Sequence, residues 1–247
     1  MTSTLTENPP EAERTPQART AAAPAVRATA VQLDGKRGRV YGPVDLCLEP
    51  GSLNLVTGPA GSGKTSLLLT LVGRMRPNPG CDLAVLGRPL PRRAAGVQRR
   101  SAAVGIHGLD DLDEEVTVAA TIREREAWLA PWYQIVRTPT DAQVSEVCAM
   151  VFGDDPAPRA KQLIHELHET ENLQLRLALA MLSAPELVVV DDVDALRDLD
   201  SRRRVWETLR RLTAHGVTVV AAAATGGDLT RLGWANLPTR IDLPNHR

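Results

Sequence analysis

Aromatic side chains are scarce in this chain: 3% of 247 residues, as four Trp, two Tyr and one Phe. A core with so few rings has to be packed mainly from Leu, Val and Ala. At 43% hydrophobic content there are enough of them for a sizeable core in one or two domains. Cysteine is equally sparse. Cys47, Cys81 and Cys148 fit neither a disulfide framework nor a zinc pattern, which points to reduced, mostly buried thiols in a cytosolic protein. No charge excess exists either. A formal net charge of −1 offers no general attraction for nucleic acid or anionic lipid. No apolar run approaches the roughly 18–20 residues of a membrane span, and the N-terminus has no apolar signal-peptide stretch. Lysine is the rare cation, with Lys36, Lys64 and Lys161 among 29 basic residues.

One of those lysines, Lys64, lies in the stretch GPAGSGKT at 58–65. Gly58, Gly63, Lys64 and Thr65 satisfy the phosphate-loop pattern G-x-x-x-x-G-K-[ST]. The β-prone run SLNLVT (52–57) precedes it, and SLLLTLVGRM (66–75), with leucines at helical spacing, follows it. A strand feeding a loop and then a helix is the setting the chemistry requires. Glycines let the backbone approach a polyphosphate, and the N–H groups and positive helix end face the anion. The loop residues Gly58, Pro59, Ala60, Gly61, Ser62, Gly63, Lys64, Thr65 and Ser66 are therefore candidates for binding ATP. Lys64 is placed for the β- and γ-phosphates and Thr65 for Mg²⁺.

Residues 1–27 are rich in Thr, Pro, Ala, Glu and Arg without periodicity and read as a disordered tail. The globular part follows at 28–247. Strands are expected at 26–33, 44–49, 52–57, 82–87, 101–106, 186–190, 217–224 and 240–244, the last at an edge. A long helix-prone region runs over 117–136 and 141–153. Further helices are expected at 171–182 and 201–216, the latter stopped by Gly216. Alternating strands and helices predict an α/β fold around a mostly parallel sheet.

A second motif is VVVDD (188–192), an apolar strand ending in acids. Open α/β sheets bind ligands at the C-terminal ends of their strands. Beside a phosphate loop, Asp191 is a candidate to hold Mg²⁺ through its water shell, and Asp192 to orient the attacking water. A helix cap or turn is the alternative role for such an Asp pair.

The order of these parts resembles the nucleotide-binding domain of the ATP-binding-cassette (ABC) family over about residues 28–230. LEPGSLNLVTGPAGSGKTSLL (48–68) is similar to the family's strand, loop and helix. ELHETENLQLRLALAMLSAPELVVVDDVDAL (166–196) is similar to its signature, helix, strand and following acid. HGVTVVAAAAT (215–225) is similar to the strand leading to the switch histidine. The resemblance implies a P-loop NTPase fold with a RecA-like core at 28–107 and 173–247. It also implies an antiparallel β edge and a helical subdomain inserted at 108–172.

The departures are as specific. LHETE (167–171) stands where the family has LSGGQ, and His107 or Gly108 where it has a glutamine. Asp192 stands for the catalytic glutamate and Ala224 for the switch histidine. The adenine-stacking aromatic is missing near Asp34–Gly35, with Tyr41 displaced. ATP and Mg²⁺ binding carry over to the loop and Asp191, with Lys64 and Asp192 as catalytic candidates. Efficient hydrolysis does not carry over.

His107 reads either as a glutamine substitute or as a surface histidine. The acidic run DDLDEE (110–115) reads as a solvated face, or else as a metal or partner surface. Trp128, Trp132 and Tyr133 read either as local core or as anchors for a partner. The resemblance implies the ATP-binding subunit of a transport complex, cytoplasmic and peripheral to the inner face of the cell membrane. A separate membrane subunit would dock on its helical insert, and a second cassette, more readily a different chain than a copy, would complete it. The lost catalytic positions favour an alternative, a regulatory module that binds ATP with little turnover. A small-molecule kinase is the weaker third reading, since helix 171–182 is not a kinase feature. A DNA-repair ATPase needs coiled-coil arms that 247 residues cannot hold.

Overall fold

The computed structural model describes residues 23–244 except 197, 228, 230–233, 235 and 236. Of the expected N-terminal tail, residues 1–22 lie outside the described residues. The chain is already in β structure at Val26, whose side chain is fully buried.

Four strands make an antiparallel sheet. They are β1 (Val26–Gly35), β2 (Gly38–Leu48), β4 (Asp82–Val85) and β5 (Arg88–Pro89), in the order β2-β1-β4-β5. Five more make a wholly parallel sheet in the order β6-β7-β8-β3-β9. These are β3 (Leu53–Thr57), β6 (Ser101–Val104), β7 (Leu187–Val190), β8 (Thr218–Ala223) and β9 (Thr239–Asp242). As expected from 240–244, β9 is an edge strand.

The inner parallel strands β7, β8 and β3 are buried on both faces, and their side chains alternate between two cores. Val188 and Val190 join Val219, Ala221 and Leu55 in one core. Leu187 and Val189 join Val220, Ala222 and Val56 in the other. The first core is covered by α3 (Val118–Leu129), α4 (Asp141–Phe152), α5 (Glu169–Met181) and α6 (Leu199–Ala214). The second is covered by α1 (Lys64–Leu71) and the antiparallel sheet. Each fully buried Leu or Val contributes about 1.5–3 kcal/mol of apolar burial.

The short α2 (Ala94–Gln98) and β5 are too brief to leave a periodic signal in the sequence. The helix-prone stretch 117–136 is helical only to Leu129. Ala130 precedes Pro131 and takes extended angles, φ −74° and ψ 151°, because a proline disfavours the helical conformation of the residue before it. Helix α5 begins at Glu169, two residues before the predicted start, because His168 caps it. Among the described residues no helix is long and apolar enough to cross a membrane.

Candidate functional site

Strand β3 lies inside the parallel sheet, so the loop after it emerges at the C-terminal edge and enters α1 directly. Gly63 caps α1 with φ +88°, and a Cβ there would sit 2.3 Å from the Val40 carbonyl oxygen. Only glycine allows the loop to close this tightly. Tyr41 supports the loop from below. It is wholly buried, and its hydroxyl donates to Thr70 Oγ1 at 2.7 Å. Burial pushes its phenol up to about 12. It is therefore a core residue, displaced from any base-stacking role.

Lys64 is 9% exposed, and its Nζ donates to the carbonyls of Gly58 at 2.8 Å and Pro59 at 3.2 Å. Thr65 Oγ1 donates to the Asp191 carboxylate, which joins α1 to the end of β7. Burial pushes the Asp191 carboxyl above its ordinary value. The Thr65 hydrogen bond opposes that shift, the Asp192 charge adds to it, and Lys64 lowers it slightly. The Asp192 N–H donates to Asp191 Oδ1 at 3.1 Å. Asp192 itself has φ +49°, a left-handed conformation that costs a non-glycine residue on the order of 1 kcal/mol.

Most of the sequence-predicted residues converge on one cavity of about 440 Å³. Ala60, Gly61, Gly63, Lys64, Thr65, Ser66, Asp192 and Ala224 all line it. A second cavity of about 590 Å³ also reaches Asp192 and is bounded by Asp191, Arg176, Glu169, Glu114 and His165. Asp192 thus faces both.

These residues fit a polyphosphate with a hard divalent cation. A buried ammonium held only by carbonyls is free to exchange them for phosphate oxygens. Ser62 Oγ is buried with no hydrogen-bond partner among the described residues. The Thr65 hydroxyl and Asp191 carboxylate are oxygen donors of the kind Mg²⁺ takes, directly or through water.

The departures from the family pattern also have clear geometry. His107 is fully exposed, lies 3.2 Å from Asp111 Oδ2, and lines neither cavity. The LHETE stretch is a helix start. His168 Nδ1 accepts from Thr170 N, and Glu171 folds back to accept from the His168 N–H at 2.8 Å. The Ala224 N–H donates to Asp194 Oδ2 at 2.7 Å. Among the described residues no group of three or more His, Cys, Asp or Glu is placed to hold a metal ion, those of the acidic run 110–115 included. Trp128, Trp132 and Tyr133 are exposed rather than core.

Sequence reasoning missed one link. Asp110, the first acid of the run, binds Arg176 of α5. The available signal was Arg176 itself, the only basic residue in the apolar helix 171–182.

Known proteins share this plan. The chain is 29% identical over 173 residues to a Nod factor export ATP-binding protein I of Burkholderia thailandensis, covering 70% of this chain and 54% of that protein. A protein of the same name from Mesorhizobium japonicum is 29% identical over 163 residues, 66% of this chain and 45% of that one. The chain thus spans about half the length of the curated relatives it matches. Among solved structures, cbiO1 of Clostridium perfringens, part of the ABC transporter complex cbiONQ, superposes with a TM-score of 0.68 at 13% identity. That match covers 83% of this chain and 80% of the other. The dimeric bacterial ABC transporter cassette MJ0796 gives 0.65 at 15% identity, covering 89% and 94%. These two likenesses establish the fold. The family model described as ABC transporter matches residues 41–195, more than half of the chain and from beneath the phosphate loop to beyond Asp192, and the chain accordingly belongs to the ABC transporter family.

Proposed function

We propose that this chain is the ATP-binding subunit of a membrane transport complex, coupling ATP binding and slow hydrolysis to a separate membrane subunit. The contact that carries the reading is Thr65 Oγ1 on the Asp191 carboxylate, beside Lys64 at the mouth of the glycine loop. Lys64 supplies positive charge to the phosphates, and the loop N–H groups and the start of α1 orient them. Thr65 and Asp191 hold Mg²⁺, which when bound neutralises charge developing on the transferred phosphoryl group. Asp192 accepts a hydrogen bond from the attacking water. Its carboxylate is one methylene shorter than a glutamate, and Ala224 brings no side chain to the γ-phosphate. Such displacements commonly cost about a hundredfold in rate.

In this reading the protein works at the inner face of the cell membrane. The membrane subunit docks on the helical insert at 108–172, and a different cassette supplies the second half-site. Hydrogen bonds that commit the LHETE stretch to its own helix favour a second reading, an ATP-binding regulatory module with little turnover.

Titration of the purified chain with Mg²⁺–ATP tests the site. Lys64→Ala should weaken binding at least about tenfold, or 1.4 kcal/mol. An unchanged titration overturns the assignment. Turnover of several ATP per second above the Lys64→Ala blank overturns slow hydrolysis.

A further inference from the structure

Positive charge is concentrated in one stretch of this nearly neutral chain. Residues 74–100 hold seven arginines and a single acid, Asp82, while the whole chain carries a net charge of −1. Asp82 lies 3.6 Å from Arg27, and Arg100 is bound to Glu186 through both carboxylate oxygens. Arg74, Arg76 and Arg92 are exposed, and among the described residues their guanidinium groups have neither a carboxylate nor a hydrogen-bond partner.

Those three arginines line one groove. A cavity of about 310 Å³ is bordered by Arg74, Arg76 and Arg92, and an adjoining one of about 400 Å³ again by Arg76 and Arg92. Leu90 and Pro91 give both an apolar side. Hydrogen bonds fix the backbone around them. Arg74 N and Met75 N donate to the Leu69 carbonyl at 2.8 and 3.1 Å, setting the turn that leaves α1. Leu90 N donates to the Leu83 carbonyl at 2.8 Å, and Arg93 N to the Pro89 carbonyl at 2.9 Å. Gln98 Nε2 donates to the Gly73 carbonyl at 2.7 Å and so joins α2 to the chain beyond α1. None of the residues of this groove lines the phosphate-loop cavity.

The dipole of α1 accounts for Arg74, which follows the C-terminal end of that helix, where a cation is favoured. It does not account for Arg92, which precedes α2, where a cation gains nothing from a helix end. Size and charge then decide the occupant. Cavities of about 300–1,000 Å³ are the clefts that take small molecules. Guanidinium forks match the oxygens of carboxylate and phosphate. A carboxylate offers two oxygens in one plane. A phosphate monoester offers three, with a charge of about −1.5 to −2, and so can satisfy arginines that arrive from two separate segments.

We propose that Arg74, Arg76 and Arg92 form a second anion site, for a small organic phosphate. Its phosphate sits between Arg76 and Arg92, and its organic part lies on Leu90 and Pro91. This site goes beyond the transport reading and does not depend on it.

Equilibrium dialysis of inorganic pyrophosphate against the full chain tests the site, without Mg²⁺ and in about 0.15 M salt to screen loosely held ions. Pyrophosphate also suits the phosphate loop, so Lys64→Ala is the first reference chain. It should still take up one pyrophosphate, and adding Arg76→Gln with Arg92→Gln should weaken that uptake at least about tenfold. The second comparison leaves Lys64 in place: the native chain should take up one pyrophosphate more than the Arg76→Gln, Arg92→Gln variant. Uptake indifferent to the two arginines in both comparisons overturns the proposal. A hexaglutamate peptide run in parallel gives the other decisive result. If the arginines hold the peptide and not pyrophosphate, the groove belongs to an acidic protein segment and the small-phosphate assignment falls.

Discussion

Arg176 on α5 grips Asp110 through both carboxylate oxygens, while the N–H groups of Gly105 and Ile106 donate to the same two oxygens at 2.9 Å each. Neither side chain of the pair is more than 19% exposed. Gly105 packs so closely on Asp191 that a Cβ at that position would lie 2.6 Å from the Asp191 carbonyl oxygen. One guanidinium thus ties the helix that starts at LHETE to the backbone behind Asp191.

Removing that guanidinium leaves a half-buried carboxylate with backbone donors only. Arg176→Met should destabilise the chain by about 1–3 kcal/mol. In a domain of this size each kcal/mol lowers Tm by about 2–4 °C. A cycle with Asp110→Asn should show a coupling of at least about 1 kcal/mol. Additive effects in urea denaturation would show that the pair is a bystander.

Asp191 makes a pH prediction of definite sign. Its folded-state pKa lies above the ordinary 3.8, chiefly because burial penalises the charged form. The stability linked to this group is whole below that ordinary value and is lost as pH rises through the folded value. At neutral pH, without Mg²⁺ or nucleotide, Asp191→Asn should therefore be more stable than the native chain. Its advantage should vanish in acid. Mg²⁺–ATP should stabilise the native chain and leave the variant nearly unmoved. A variant less stable than the native apo chain at neutral pH contradicts this account.

The helix start at His168 predicts the assembly. Its side chain and that of Glu171 are committed to capping α5, and Glu169 brings a second carboxylate to the surface that would face a polyanion. The chain alone should not form a tight ATP-driven homodimer, even as Asp192→Asn. Light scattering decides it: a doubling of mass on adding Mg²⁺–ATP to that variant would show that LHETE closes on the nucleotide.

What was legible in the sequence was what is local. Gly58 to Ser66 are contiguous, so strand, loop and helix could be read from one stretch, and VVVDD needed only its own apolar run. The stop at Pro131 was equally local, but the apolar residues beyond it, Trp132, Tyr133, Ile135 and Val136, masked it. Asp110 and Arg176 are 66 residues apart, and nothing in either neighbourhood names the other. His168 escaped notice as a cap because imidazole is not among the usual capping side chains. The burial of Tyr41 depends on Thr70 of α1, a contact that exists only once the two sheets have met.

The sheet order β6-β7-β8-β3-β9 has a bearing on how the molecule is made. Both hydrogen-bonding neighbours of β3 come from far downstream, Leu53 pairing with Val219 and Asn54 with Thr239. While the ribosome is still short of residue 218, the strand that carries the phosphate loop has no partner on either edge. The antiparallel sheet, complete by Pro89, needs nothing that late. A nascent chain therefore carries a finished antiparallel sheet and an unpartnered β3 until β8 has been made, and chains stalled before Thr218 should be unable to hold ATP. On the proposed reading, competence to bind ATP should arise in two steps, as β8 and then β9 add to the two edges of β3.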